Sequence, residues 1–372
     1  MAKSIRLVCM AAAVLPLTLL VACSSSTGSS SSALPPTSPS AAANPSTGGT
    51  TVSETGSTLL LPLVSAWQVA FGTLNPNVLV STAGTGSGTG ISDAAAGTVD
   101  IGGSDAYLSP ADLSQHPGVK NIPLAVAALM VNYKVPGIKR PLRLSGKVLA
   151  GIYTGKITAW NDPAISALNP NVALPSLKIV PLHRADSSGS TFLFTSYLNA
   201  QDPSGWPPSN VGTTVSWPRV PGAQAETGSG SMVKGCAAIP GCIAYIGVSY
   251  LSETSSDGLG EASLANKSGQ FRQPTAATIR SALATFSAAT PATGTQSLIN
   301  GPAGYPVINY EYAIVRMSQP SAAAAAAIKG FLLWGITAGN AFKYLAAVNF
   351  QPLPDNVRTI ARKLIDKISR SG

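Results

Sequence analysis

Three times in this chain a run of glycine and hydroxyl residues precedes or joins a helix-like segment. Gly56, Ser57 and Thr58 precede the apolar stretch 61–71, where Pro62 suits a first helical turn. Residues 84–90 spell Gly-Thr-Gly-Ser-Gly-Thr-Gly after a strand-like 77–82 and ahead of a small-residue helix at 92–97. Ser188, Gly189, Ser190 and Thr191 join the apolar run 178–182 to a helix over 192–198. Alternation of strand, small-residue loop and helix is the pattern of an α/β fold. Each such loop leaves backbone N–H groups unpaired at the positive end of a helix, which favours an anion. Arg184 and Asp186 stand just before the third loop. An arginine there offers a planar fork of donors for two oxygens of a phosphate or carboxylate. The same residues also suit an ordinary serine N-cap beside an Arg–Asp pair, and 84–90 a flexible turn.

At 372 residues, with 45% hydrophobic and 10% charged residues, the chain has room for two domains with large cores. A strand over 99–106 ends in Gly103, Ser104 and Asp105, and the apolar run 121–133 leads toward a further lobe. A helix and turn are expected over 147–161, and an irregular contact-bearing loop over 202–231. Strands follow at 244–250 and 304–315, then helices at 322–345 and 357–368. The basic residues of the last helix, Arg358, Arg362, Lys363 and Lys367, are expected on a solvated face.

The N-terminus points to export. Lys3 and Arg6 precede an apolar run at 7–22, the form of a signal peptide over 1–22 and shorter than the about 20 residues a membrane crossing needs. Leu20, Val21, Ala22 and Cys23 resemble a bacterial lipobox, in which Cys23 carries the lipid. Residues 24–53 are almost all Ser, Thr, Ala, Pro and Gly, a disordered tether spanning roughly 30 Å. Folded sequence is expected from Glu54. The net charge of +9 favours anionic partners or surfaces. With Cys9 leaving in the signal peptide and Cys23 carrying lipid, Cys236 and Cys242 are the remaining cysteines, most simply a disulfide in an exported chain and only half of a zinc site.

Catalytic constellations are scarce. The loop at 84–90 has neither dinucleotide nor P-loop spacing, and two histidines exclude a multi-histidine metal centre. No Gly-x-Ser-x-Gly elbow or His-Glu-x-x-His motif is present, and His183 suits a strand end better than a general base. Anion donors without a nucleophile–base pair favour binding over catalysis. Asp105 among such donors makes sense for a ligand that carries a proton: phosphate near neutral pH can donate to it, whereas sulfate would meet it with repulsion costing several kcal/mol.

The segments Glu-Thr-Gly-Ser-Thr-Leu-Leu at 54–60, 84–90, Gly-Ser-Asp-Ala-Tyr-Leu-Ser at 103–109, 182–192 and Asn-Tyr-Glu-Tyr-Ala-Ile-Val at 309–315 resemble the phosphate-binding proteins (PstS family) of high-affinity phosphate ABC transporters, above all the mycobacterial lipoprotein form. The resemblance runs from about residue 54 to the C-terminus. It implies a two-lobed periplasmic-binding-protein fold of the type II, Venus-flytrap kind with a strand hinge. One lobe would hold 54–127 and 306–372, the other 128–305. It implies a lipid-anchored extracytoplasmic monomer that hands inorganic phosphate to membrane permease subunits, with no cofactor, metal or nucleic acid. Thr58, Leu59 (through its N–H), Ser87, Asp105, Arg184, Ser188, Gly189 and Ser190 would contact phosphate, supported by Ser57 and Asp186. The chain departs from the family pattern at Leu59, where some relatives carry an aromatic, at Ser187, often Gly, and at Ser190, often Thr. A secreted phosphate-ester hydrolase and a binder of another tetrahedral oxyanion are the alternatives.

Overall fold

The computed structural model describes residues 49–371; the expected signal peptide 1–22, lipidated Cys23 and the tether as far as residue 48 lie outside the described residues. The chain first lays down β1 (Thr50–Gly56), α1 (Leu61–Leu74), β2 (Val78–Ser81), α2 (Ser87–Ala96), β3 (Ile101–Ser104), α3 (Pro110–Gln115) and a long β4 (Val119–Tyr133). Its middle forms β5 (Arg143–Leu144), α4 (Gly146–Tyr153), α5 (Pro163–Leu168), β6 (Val180–Arg184), α6 (Gly189–Gln201), β7 (Gln224–Glu226), α7 (Gly228–Ala238) and β8 (Cys242–Gly247). Then come α8 (Leu251–Ser256), β9 (Gly260–Glu261), β10 (Ser263–Ala265), β11 (Phe271–Arg272) and α9 (Ala276–Ala284). The last part returns with β12 (Ile308–Arg316), β13 (Ser318–Gln319), α10 (Ala322–Gly335), α11 (Phe342–Leu345), α12 (Asp355–Ile365) and β14 (Ser369–Arg370).

One sheet carries the fold, in the order β2-β1-β3-β12-β4-β8-β6-β7, with β9 also on β4. β4 is its pivot: residues 119–128 pair with β12, and residues 129–133 pair with β8. Its side chains are buried almost without interruption, as expected of a strand covered on both faces. α1, α2 and α10 pack on the β1–β2–β3 end, and α6 and α7 on β6 and β8. The result is the two-lobed α/β architecture expected from the sequence.

Several boundaries differ from the expectation. α2 starts at Ser87 and α6 at Gly189, inside the small-residue loops, α4 ends at Tyr153, and the loop expected at 202–231 holds β7 and the start of α7. Two further differences bear on the fold. Thr50–Ser53, placed in the tether, are the first residues of β1 and pair with Val78–Ser81 of β2. Their small polar side chains hide a strand whose ladder partner comes from elsewhere in the chain. The helix expected over 322–345 stops at Gly335, and α11 follows only after a tight turn. There Trp67 Nε1 donates to the Gly339 carbonyl at 2.9 Å, and Thr337 Oγ1 donates back to the Leu333 carbonyl at 2.6 Å. Segment 322–340 is apolar enough for a membrane span by length and composition, yet Ile328, Phe331 and Leu332 are core residues against Trp67 and Phe71. On α12 the buried residues are Val357, Ala361, Leu364 and Ile365, leaving Arg362 and Lys363 exposed.

Cys236 and Cys242 form the expected disulfide, joining the end of α7 to the start of β8 with Cα atoms 5.3 Å apart. So short a loop is worth about 2 kcal/mol in the chain-entropy account. Replacing both cysteines with alanine should lower unfolding free energy by that amount in a denaturant titration. An unchanged midpoint would contradict it.

Candidate functional site

The three small-residue turns meet at one place. Ser57 follows β1, and its Oγ accepts from the N–H groups of Leu59 (3.1 Å) and Leu60 (3.0 Å), capping the turn that runs into α1. Thr58 and Leu59 therefore sit in this turn, just ahead of the helix, and the Leu59 N–H is held by Ser57. The second turn starts α2 at Ser87, whose Oγ accepts from the Asp105 N–H at 3.3 Å. The third starts α6 at Gly189, with Ser188 as its N-cap accepting from Thr191 N–H at 3.4 Å.

Glycine is required where these turns touch. A methyl group at residue 189 would stand 2.6 Å from Ser87 Oγ and 2.7 Å from Asp105 Cβ. At Gly88 a methyl would overlap the Ser187 side chain, and the Gly88 N–H donates to the Ser187 carbonyl at 3.0 Å. Helix starts from distant parts of the chain are thus brought into backbone contact.

Asp105, at the end of β3, is 2% exposed and receives hydroxyls from both sides. Ser57 Oγ donates to Oδ1, and Ser190 Oγ donates to Oδ2 at 2.9 Å. Burial pushes its carboxyl above the usual range, held back by these hydroxyls, the Arg184 charge and Glu311. Arg184, at the end of β6, is buried and locked by Asp186: Nε donates to Oδ1 at 2.6 Å and Nη2 to Oδ2. Gly228 N–H adds 3.1 Å to the same Oδ1. Burial raises Asp186, but the Arg184 bonds and charge outweigh it and keep the carboxyl below its usual value. An arginine fixed along one edge keeps its remaining N–H groups aimed in one direction. His183 lies stacked on Trp217 with ring centres 4.9 Å apart, a packed strand residue.

All ten residues expected to bind or support the ligand fall in these three turns, at the end of β3 or at the end of β6. Several neighbours were not foreseen. Thr58 Oγ1 lies 2.8 Å from Ser229 Oγ and accepts from Ser229 N–H at 3.1 Å. Ser249 Oγ donates to the Leu59 carbonyl at 2.8 Å, and Tyr250 OH to the Thr58 carbonyl at 3.1 Å. Tyr245 OH accepts from Arg184 N–H at 2.9 Å and pairs with Thr191 Oγ1 at 2.8 Å. Their only sequence signals were membership of the irregular 202–231 loop or of the 244–250 strand. Glu54, on β1, is a further buried carboxyl, pushed up to about 7 by burial. Among the described residues no group of three His, Cys, Asp or Glu is placed to hold a metal.

Comparison with known proteins identifies the family. The PBP superfamily domain matches residues 41–338. The phosphate-binding protein PstS of Xylella fastidiosa is 31% identical over 84% of this chain and 84% of its own. A PstS protein of Mycobacterium leprae is 30% identical over 84% of this chain and 85% of its own. A phosphate ABC transporter substrate-binding protein of Clostridium perfringens, solved with bound phosphate, superimposes with a TM-score of 0.59 at 20% identity, covering 82% of this chain and all of that one. Clustered donors around a buried carboxylate, the two-lobed sheet and these likenesses lead to one assignment: the chain belongs to the PstS family of phosphate-binding proteins.

Proposed function

We propose that the chain is a lipid-anchored extracytoplasmic receptor that binds inorganic phosphate between its lobes and delivers it to the permease subunits of an ABC transporter. The carrying observation is Asp105, a buried carboxylate set among Ser57, Ser87, Gly189, Ser190 and the Arg184 charge. A carboxylate in an anion site is favourable only toward a ligand that brings its own proton. In this reading Thr58, Ser87 and Asp105 contact phosphate from the lobe of 54–127 and 306–372, and the Leu59 N–H joins them by leaving the Ser57 hydroxyl that now holds it. Arg184, Ser188, Gly189 and Ser190 close on it from the lobe of 128–305. The change of partner along β4, and the Leu129 N–H bond to the Val307 carbonyl at 3.0 Å, support a hinge at these crossings.

Calorimetry of the protein against phosphate, sulfate and a phosphate monoester tests this. Phosphate should bind far more tightly than the others. Equal sulfate binding would make the site a general oxyanion binder, and turnover of the monoester would make it a hydrolase. Anchorage has its own test: Cys23→Ala should release the protein from membranes. A variant that still sediments with membranes in high salt would contradict the lipid anchor.

A further inference from the structure

Glu311 is fully buried in β12, and the phosphate reading gives it no contact with the ligand. β12 runs antiparallel to β3 with Tyr312 opposite Ser104, so the next step of the ladder sets Glu311 opposite Asp105. On its other edge β12 changes register between Glu311, opposite Ala125, and Tyr312, opposite Pro123, an irregularity of the kind that re-aims side chains. Asn309 Nδ2 donates to Glu311 Oε1 at 2.8 Å and to the Asp105 carbonyl at 3.4 Å, tying the two residues together. Glu311 Oε2 is buried and receives no donor.

Glu311 and Asp105 are both buried, lie at adjoining ladder positions and share the Asn309 amide. Two carboxyl groups brought together in such a buried place do not both ionise, and they hold one proton between them. Oε1 is already an acceptor, so Oε2 is the oxygen left to carry the proton and donate it. We propose that Glu311 is a positioning residue for ligand selection, acting by donating an acid hydrogen bond to Asp105. Asp105 thereby stays the charged acceptor that a ligand's own proton must meet. This rests on the phosphate reading above.

The surroundings agree with that division. Asp105 is the charged group acting on Glu311, and burial with this like charge pushes Glu311 well above the usual carboxyl range. The other titratable groups nearby are Tyr312 on the same strand, Arg184 acting on Asp105, Tyr250, whose hydroxyl bonds the Thr58 carbonyl and feels the Asp105 charge, and Glu54 on β1 behind Gly103. Arg184 gives one edge, Nε and Nη2, to Asp186 and keeps its other N–H groups for the ligand, and Glu54 is bonded to Thr82. Asp105 therefore has Ser57, Ser190 and Glu311 as its supporting donors, and Glu311 alone among them can lose its proton by titration.

The test measures phosphate and sulfate dissociation constants for the whole protein, Glu311→Gln and Glu311→Leu at about pH 6, 7.5 and 9.5. Leucine fills the space without a donor. Asp105, buried and less supported, then takes up a proton itself. The phosphate-over-sulfate preference should fall roughly tenfold or more at the lowest pH and recover as Asp105 ionises. Glutamine offers an N–H in the same place and should rescue the preference to within about threefold. A role confined to packing would weaken both anions together and leave the preference and its pH course unmoved, and that result overturns the proposal. Should the leucine variant fail to fold, Glu311→Met, also without a donor, takes its place. A loss of preference like that expected of leucine supports the proposal, and a preference left unmoved while both anions weaken together overturns it. A wild type that binds neither anion would instead overturn the phosphate reading itself.

Discussion

Arg184→Lys is expected to weaken phosphate binding by about 1–3 kcal/mol, roughly five- to 150-fold. Lysine keeps the charge but loses the planar fork. Arg184 engages both oxygens of Asp186 through Nε and Nη2, which fixes the plane of its guanidinium. A single ammonium cannot bond both oxygens of Asp186 and face a ligand in a fixed direction as well. Asp186 would also lose partners that now hold its carboxyl below the usual range. Titration calorimetry on the purified variant checks this. An unchanged dissociation constant would place Arg184 outside the binding site.

Asp105→Asn should change the selectivity of the site more than its strength. Phosphate loses one charge-assisted hydrogen bond but is also freed of one repulsive charge, so its affinity moves modestly in either direction. Sulfate gains, because an amide N–H can face its oxygen. Relief of several kcal/mol shrinks the phosphate-to-sulfate affinity ratio by at least ~100-fold. Ser57 and Ser190 donate to opposite oxygens of Asp105, so one can go on donating to the amide oxygen while the other turns to accept from the amide N–H, and the variant should fold. A ratio equal to wild type would mean that Asp105 does not sense the ligand's proton.

The parts of this site written in consecutive residues were legible in the sequence. Glycine and hydroxyl residues at helix starts carry their own mechanism, and Arg184 and Asp186 stand two positions apart, so their pairing needs no knowledge of the fold. The disulfide likewise followed from two cysteines in one short loop. Contacts set by tertiary packing left no such trace. Ser229 and Tyr250 reach Thr58 from far along the chain, in segments whose composition says only loop or strand. Glu311 stood in plain view at the centre of an apolar strand. Its placement opposite Asp105 depends on the β3–β12 register, which pairing with distant strands fixes. Thr50–Ser53 read as tether for the same reason, because small polar residues become a strand only through their partner β2.

The most direct measurement of the central claim is a structure of the protein grown with phosphate. The account predicts one phosphate between the lobes, with one oxygen about 2.5–2.7 Å from an Asp105 carboxylate oxygen, the spacing of a hydroxyl donating to a charged acceptor. The remaining oxygens should lie on Arg184 and the Thr58, Ser87 and Ser190 hydroxyls. A phosphate bound elsewhere, or one seated among these residues with Asp105 turned away from it, would contradict it.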